Sequence, residues 1–142
     1  MRFLSVFPLA AALAACGSSN SPTAPTDPSV GLNVPFGITD LVLGTGAEAV
    51  NGRSLNVQYT LWLYHPTAPE NKGRQVQAGT YPFVLGTTSV IQGWQQGIPG
   101  MRVGGRRRLV IPPSLAYGAA GSPPDIPGNA TILFEVTLLS VQ

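Results

Sequence analysis

Apolar and polar positions alternate most regularly over residues 55–64, where Leu55, Val57, Tyr59, Leu61 and Leu63 fall on one side of an extended chain. A period of two predicts a half-buried strand. Residues 130–141 repeat the pattern, with Ile132, Phe134, Val136 and Leu138 on one face. Residues 38–43 make a shorter apolar run closed by Gly44-Thr45-Gly46, residues 106–112 another, and residues 75–76 and 81–85 are weaker strand candidates around a loop. Between Val90 and Ile98 the period changes. Apolar side chains at Val90, Ile91, Trp94 and Ile98 have helical spacing, with Ser89 placed to cap the start and Pro99 to stop it. The expected fold class is α+β, an antiparallel sheet with one short α-helix against it.

The ends of the pattern divide the chain. Residues 1–15 carry Arg2 and then an apolar stretch too short for a bilayer-spanning helix, which needs about 20 residues; they are expected to be a secretory signal. The ending Leu13-Ala14-Ala15-Cys16 looks like a bacterial lipobox, a resemblance that implies cleavage before Cys16 and its lipidation. Residues 16–34, rich in Ser, Thr and Pro, read as a flexible tether, and residues 35–142 as one globular domain. The implied location is extracytoplasmic, in the periplasm and attached to the cell envelope. Gly17 in place of an aspartate leans the expectation toward the outer membrane. Composition agrees with a single turn-rich domain: of 142 residues, 17 are Gly and 14 Pro, and only 10% are charged. A formal charge of +2 is too small to argue for nucleic acid, and Arg106-Arg107-Arg108 reads as a solvated strand edge. A monomer is expected.

Two stretches go beyond pattern. VIQGWQQGI at residues 90–98, followed by GMRVG, and RRRLVIPPSLAYGAAG at residues 106–121 resemble successive signatures of the FKBP family of peptidyl-prolyl isomerases. NATILFEV at residues 129–136 is similar to the family's last strand. The resemblance covers roughly residues 37–142 and implies a twisted antiparallel β half-barrel wrapped around the helix. It implies a pocket in which Tyr59 is a wall, the Ile91 N–H meets a substrate carbonyl, Trp94 is the floor, Tyr117 reaches the ligand and Phe134 closes the far side. Val76, Gln77, Tyr81, Val90 and Ile126 are the implied substrate-binding positions. Periodicity alone favours Trp94 and Phe134 as ordinary core residues; the resemblance reverses that.

The implied activity is cis-trans isomerisation of Xaa-Pro bonds in exported or envelope proteins, with proline-containing polypeptides as partners, macrolides as possible ligands, and no cofactor or metal. Where the family has Phe-Asp, this chain has Val76-Gln77, with a shorter loop before Tyr81. Ser122 replaces a histidine, and Asp125 an apolar residue. Reduced turnover is the consequence expected, and a binding or chaperone module of the same fold is the alternative; a purely structural envelope lipoprotein is a third. No other catalytic constellation stands beside this one. The single histidine, His65, precedes Pro66 in a loop, and neither a nucleophile elbow nor a phosphate loop is present.

Overall fold

The computed structural model describes residues 27–87 and 90–142; Cys16 and Ser89 lie outside the described residues. Five strands run β1 (Gly37–Val42), β2 (Ser54–Tyr64), β3 (Lys72–Val84), β4 (Arg106–Ile111) and β5 (Ile132–Val141), with one helix, α1 (Gln92–Gly97), between β3 and β4. They form one twisted open sheet in the order β1-β4-β5-β2-β3, every neighbouring pair antiparallel. The alternation along β2 and β5 holds: Leu55, Val57, Leu61, Leu63, Ile132, Phe134, Val136 and Leu138 are buried in the core that Trp94 and Ile98 of the helix complete.

Four expectations change. β3 is a single strand of 13 residues, not two pieces about a loop. It lies at the sheet edge, where pairing with β2 rather than burial holds it, so the polar and small residues 77–80 show no apolar period. The alternation is further interrupted at Val76, because Gln77 stands opposite Leu61 and Gln75 opposite Trp62, leaving Val76 as the extra residue of a bulge. The helix is shorter than the apolar spacing suggests. Ile91, in extended conformation, takes the position ahead of its first turn.

The arginine triplet is the third change. β4 lies inside the sheet between β1 and β5, not at its edge. Successive side chains of a strand point to opposite faces, and here Arg107 shares the inner face with the buried Leu109 and Ile111. Its Nη1 donates to the carbonyls of Gly97 (2.7 Å) and Pro99 (3.1 Å), and its Nε to Asp40 Oδ1 (2.7 Å). A cation thus satisfies carbonyls left free at the end of α1. Arg108, on the outer face, joins Lys72, Glu70 and Glu135 in an ion-pair network. Burial works against the Lys72 ammonium, but hydrogen bonds from it to Glu135 and Glu70 outweigh that and raise its pKa above the usual lysine value.

Part of the stretch read as tether is packed. Ser29 is buried and its carbonyl accepts from the Thr131 N–H (2.9 Å), Gly31 N–H donates to Asn129 (3.2 Å), and Val30 bridges Ala130. Asp27 Oδ1 holds the Ser29 N–H and hydroxyl. The globular unit therefore begins ahead of residue 35.

Helix and sheet approach closely because Gly93 and Gly97, four apart, face Ile111 and Leu109. A Cβ at Gly93 would lie 2.5–2.9 Å from three side-chain atoms of Ile111, and one at Gly97 2.6 Å from a Leu109 methyl. Ile111 is β-branched and stiff at χ1, whereas the Leu109 methyls are the free end of a longer side chain. Gly93→Ala is expected to cost about 1–3 kcal/mol through overpacking, against about 1 kcal/mol regained from helix propensity. Gly97→Ala is expected to cost less. Urea unfolding midpoints of the two variants check the order.

Candidate active site

Four elements converge on the inner face of the sheet. β2 supplies Tyr59 and Leu61, the edge strand β3 supplies Gln77 and Tyr81, and β5 supplies Phe134; Val90, Ile91 and Trp94 come from the start of α1, and Tyr117 from the chain after β4. The register explains the grouping: Leu61 faces Phe134 on one side and Gln77 on the other, while Tyr59 faces Gly79, which has no side chain to fill the space. Together these residues enclose an open cavity of about 530 Å³.

Trp94, only 5% exposed, is its centre. Phe134 stands edge-on to the indole with ring centroids 5.2 Å apart, Tyr59 at 5.5 Å, Phe83 at 5.5 Å and Tyr81 at 6.1 Å. These separations and tilts are those aromatic rings prefer. Of these rings Tyr59, Tyr81, Trp94 and Phe134 line the cavity and still leave it open, while Phe83 packs on the indole without lining it. The indole N–H is buried and has no hydrogen-bond partner among the described residues.

The polar groups at the cavity are almost all donors. No described residue is hydrogen-bonded to the hydroxyl of Tyr59, Tyr81 or Tyr117, or receives the Ile91 N–H; the Ile91 carbonyl accepts from Trp94 (3.0 Å) and Gln95 (3.2 Å). Burial raises the Tyr117 pKa, with the nearby Tyr59 adding to the effect, and burial likewise raises that of Tyr59, reinforced by Tyr81. Both phenols are therefore protonated donors across the neutral range. No carboxylate, ammonium or guanidinium lines the cavity among the described residues.

Of the positions read from the sequence, Tyr59, Ile91, Trp94, Tyr117, Phe134, Gln77, Tyr81 and Val90 meet around this one cavity. Val76 and Ile126 do not line it. Val76, the bulge residue, packs partly buried against the core. Ile126 is buried because the loop folds back on itself: Ser122 and Ile126 exchange main-chain hydrogen bonds of 2.8 and 2.9 Å, and the isoleucine side chain joins the core. Two further residues belong beside these, Leu61 in the cavity lining and Phe83 packed against the indole outside it. Each lies two residues from a named wall residue, Tyr59 and Tyr81, on the same face of its strand, and that period was the available signal. His65 takes part in a local turn, its Nδ1 accepting from the Thr67 N–H (3.2 Å).

This architecture recurs in known proteins. Residues 46–139 match the family described as FKBP-type peptidyl-prolyl cis-trans isomerase. The chain belongs to that family. An FK506-binding protein of Neisseria meningitidis is 44% identical over 104 residues, covering 73% of this chain and 94% of the relative. FK506-binding protein 4 of Rhizopus delemar is 44% identical over 105 residues, but there this chain spans only 27% of the relative's length. The crystal structure of AtFKBP13 superposes with a TM-score of 0.65 at 32% identity, covering 75% of this chain and 93% of that one. The cavity of this FKBP-type chain thus sits in a fold shared with those proteins.

The raised tyrosines fix a pH dependence. A group whose pKa is higher in the folded than in the unfolded chain stabilises fully below its unfolded value, 10.0 here, and loses that contribution as pH rises through the folded value. From Tyr59 and Tyr117, unfolding free energy is expected to be level up to about pH 9 and to decline above about pH 10. Tyr117→Phe is expected to flatten part of the decline; denaturant titrations from pH 7 to 11 measure it.

Proposed function

We propose that this FKBP-type chain accelerates rotation about Xaa-Pro bonds in exported or envelope proteins, without a covalent step, by favouring the twisted imide over the planar one. The observation that supports the reading is the open, Trp94-floored aromatic cavity with unengaged hydrogen-bond donors at its walls. Amide rotation crosses a barrier of about 18–20 kcal/mol because it breaks resonance. The planar imide is more dipolar than the twisted one, so a water-poor aromatic surround disfavours the ground state relative to the transition state. Hydrogen bonds from the Ile91 N–H and the Tyr117 hydroxyl to the substrate's carbonyls hold the flanking chain while the bond between them turns. Four to five decades of acceleration require roughly 5.5–7 kcal/mol, which these contacts and the shaped floor share.

The absence of a carboxylate at Gln77 supports reduced turnover, because nothing charged there polarises the cavity. The same feature favours a second reading, a module that binds proline-containing segments and isomerises them slowly. Cys16, lipidated, would hold the domain at the cell envelope as a monomer.

In a protease-coupled or NMR-exchange assay on a Leu-Pro peptide, the full-length chain in detergent is expected to accelerate isomerisation. Trp94→Leu is expected to lower kcat/KM by about tenfold or more and Tyr117→Phe by severalfold, in the range of one to two lost kcal/mol. Gln77→Asp is expected to raise kcat. Peptide binding without acceleration, in the wild type and in Gln77→Asp alike, would replace the enzyme by the binding module. Separately, Cys16→Ser is expected to move the chain out of the membrane fraction; continued membrane attachment removes the lipid anchor from the proposal.

A further inference from the structure

The bulge in β3 has an effect at the cavity rim. Trp62 and its partner Gln75 belong to the outer face of the sheet, Leu61 and its partner Gln77 to the inner, with Val76 inserted between. Arg74, next to Gln75, lies between this bulge and a second register shift before Lys72 pairs with Tyr64, so plain alternation is suspended where its side chain leaves the strand. From there its Nη2 donates to the main-chain carbonyl of Asp125 at 2.7 Å, a contact between residues 51 apart in sequence. The bond joins the strand that supplies Gln77 and Tyr81 to the loop that follows Tyr117.

Arg74 brings the cavity's surroundings a charge that the lining lacks. It forms no ion pair among the described residues, whereas Asp40, Glu48, Glu70 and Glu135 are each engaged by Arg107, Arg102, Lys72 or Arg108. Asp27 is held by Ser29. Arg53 and Arg106 are also without an ion pair among the described residues, but Arg53 lies in the turn before β2 and Arg106 points to the outer face, alongside Gln58 and Thr137. A guanidinium has five N–H donors in a rigid fork. The neutral Asp125 carbonyl occupies one and fixes the head group in place without cancelling its charge; the side chain remains exposed. Every polar group at the cavity wall is a donor or an uncharged amide, so nothing there repels an anion.

We propose that Arg74 is a specificity-determining residue: it receives the carboxylate of an acidic residue adjoining the substrate proline, so that Glu-Pro or Pro-Glu segments are preferred over their neutral or basic counterparts. This rests on the isomerase reading above and names its substrate class. The Asp125 carboxylate, on the same loop, opposes an acidic ligand and keeps the preference modest.

The test uses the full-length chain and three peptides differing only in Glu, Gln or Lys beside the proline, varied first before it and then after it. Both kcat/KM for isomerisation and the dissociation constant from NMR titration are read. In at least one position Glu is expected to exceed Gln by about threefold, as an exposed ion pair supports, with Lys lowest and the spread shrinking as salt rises. Arg74→Gln is expected to bring the Glu-to-Gln ratio to one, Arg74→Lys to retain part of it, and Asp125→Asn to widen it. A wild-type ratio of one in both positions overturns the proposal. So does an Arg74→Gln variant that slows all three peptides by the same factor, which would make the residue a fastener of the loop and no more. If no peptide is accelerated, the isomerase reading fails by itself, and the ratio of dissociation constants still decides the role of Arg74.

Discussion

The contact on which the site depends is the one between α1 and β4. Two glycines a helical turn apart let the helix backbone lie directly on Ile111 and Leu109, and Arg107 ties its last carbonyls to the same strand and, through Asp40, to β1. A helix of six residues has little stability of its own. Packed this closely, it presents Trp94 at a fixed height above the sheet, and each ring around the indole takes its place from strand register. Were the helix lifted by the width of a methyl group, the indole would rise into the hollow it now floors.

The cavity that results holds polar groups but no charge among its described lining residues. Its lining offers phenols, a main-chain N–H and a carboxamide, and no ionised group among the described residues. Such a lining offers donors to a ligand's carbonyl oxygens from the phenols and the main-chain N–H, while the Gln77 carboxamide can also accept. Desolvation above all, with a neighbouring tyrosine adding to it, keeps the Tyr59 and Tyr117 hydroxyls protonated across the neutral range.

Much of this was legible in the sequence. The alternation in β2 and β5 marked both core strands and, within them, Tyr59 and Phe134; the helical spacing around Trp94 and the family signatures marked the floor and Tyr117. What escaped did so for definable reasons. β3 is held by main-chain pairing at an edge, and main-chain pairing leaves no trace in hydropathy; two register shifts, at Val76 and again before Lys72, break what alternation there is. The Arg107 side chain looked like surface because its partners, two carbonyls at the end of a helix, have no residue-type signature. That Ile126 is buried in the core away from the cavity lining has no side-chain signature, because the loop's inward fold is set by two main-chain hydrogen bonds. Residues 27–31 were read as tether from their polarity, yet the backbone of so polar a segment can still pair with Asn129 and Thr131.

The outer margin of β3 carries one more implication. A strand 13 residues long with no neighbour on its outer margin among the described residues is a template on which other extended chains can pair. Here the template is cut short at both ends of the cavity: Pro82 has no N–H to offer, and the bulge at Val76 throws the row of main-chain groups out of line. Only the five residues 77–81 remain in unbroken sequence, enough for a passing segment to touch and too few for one to stay.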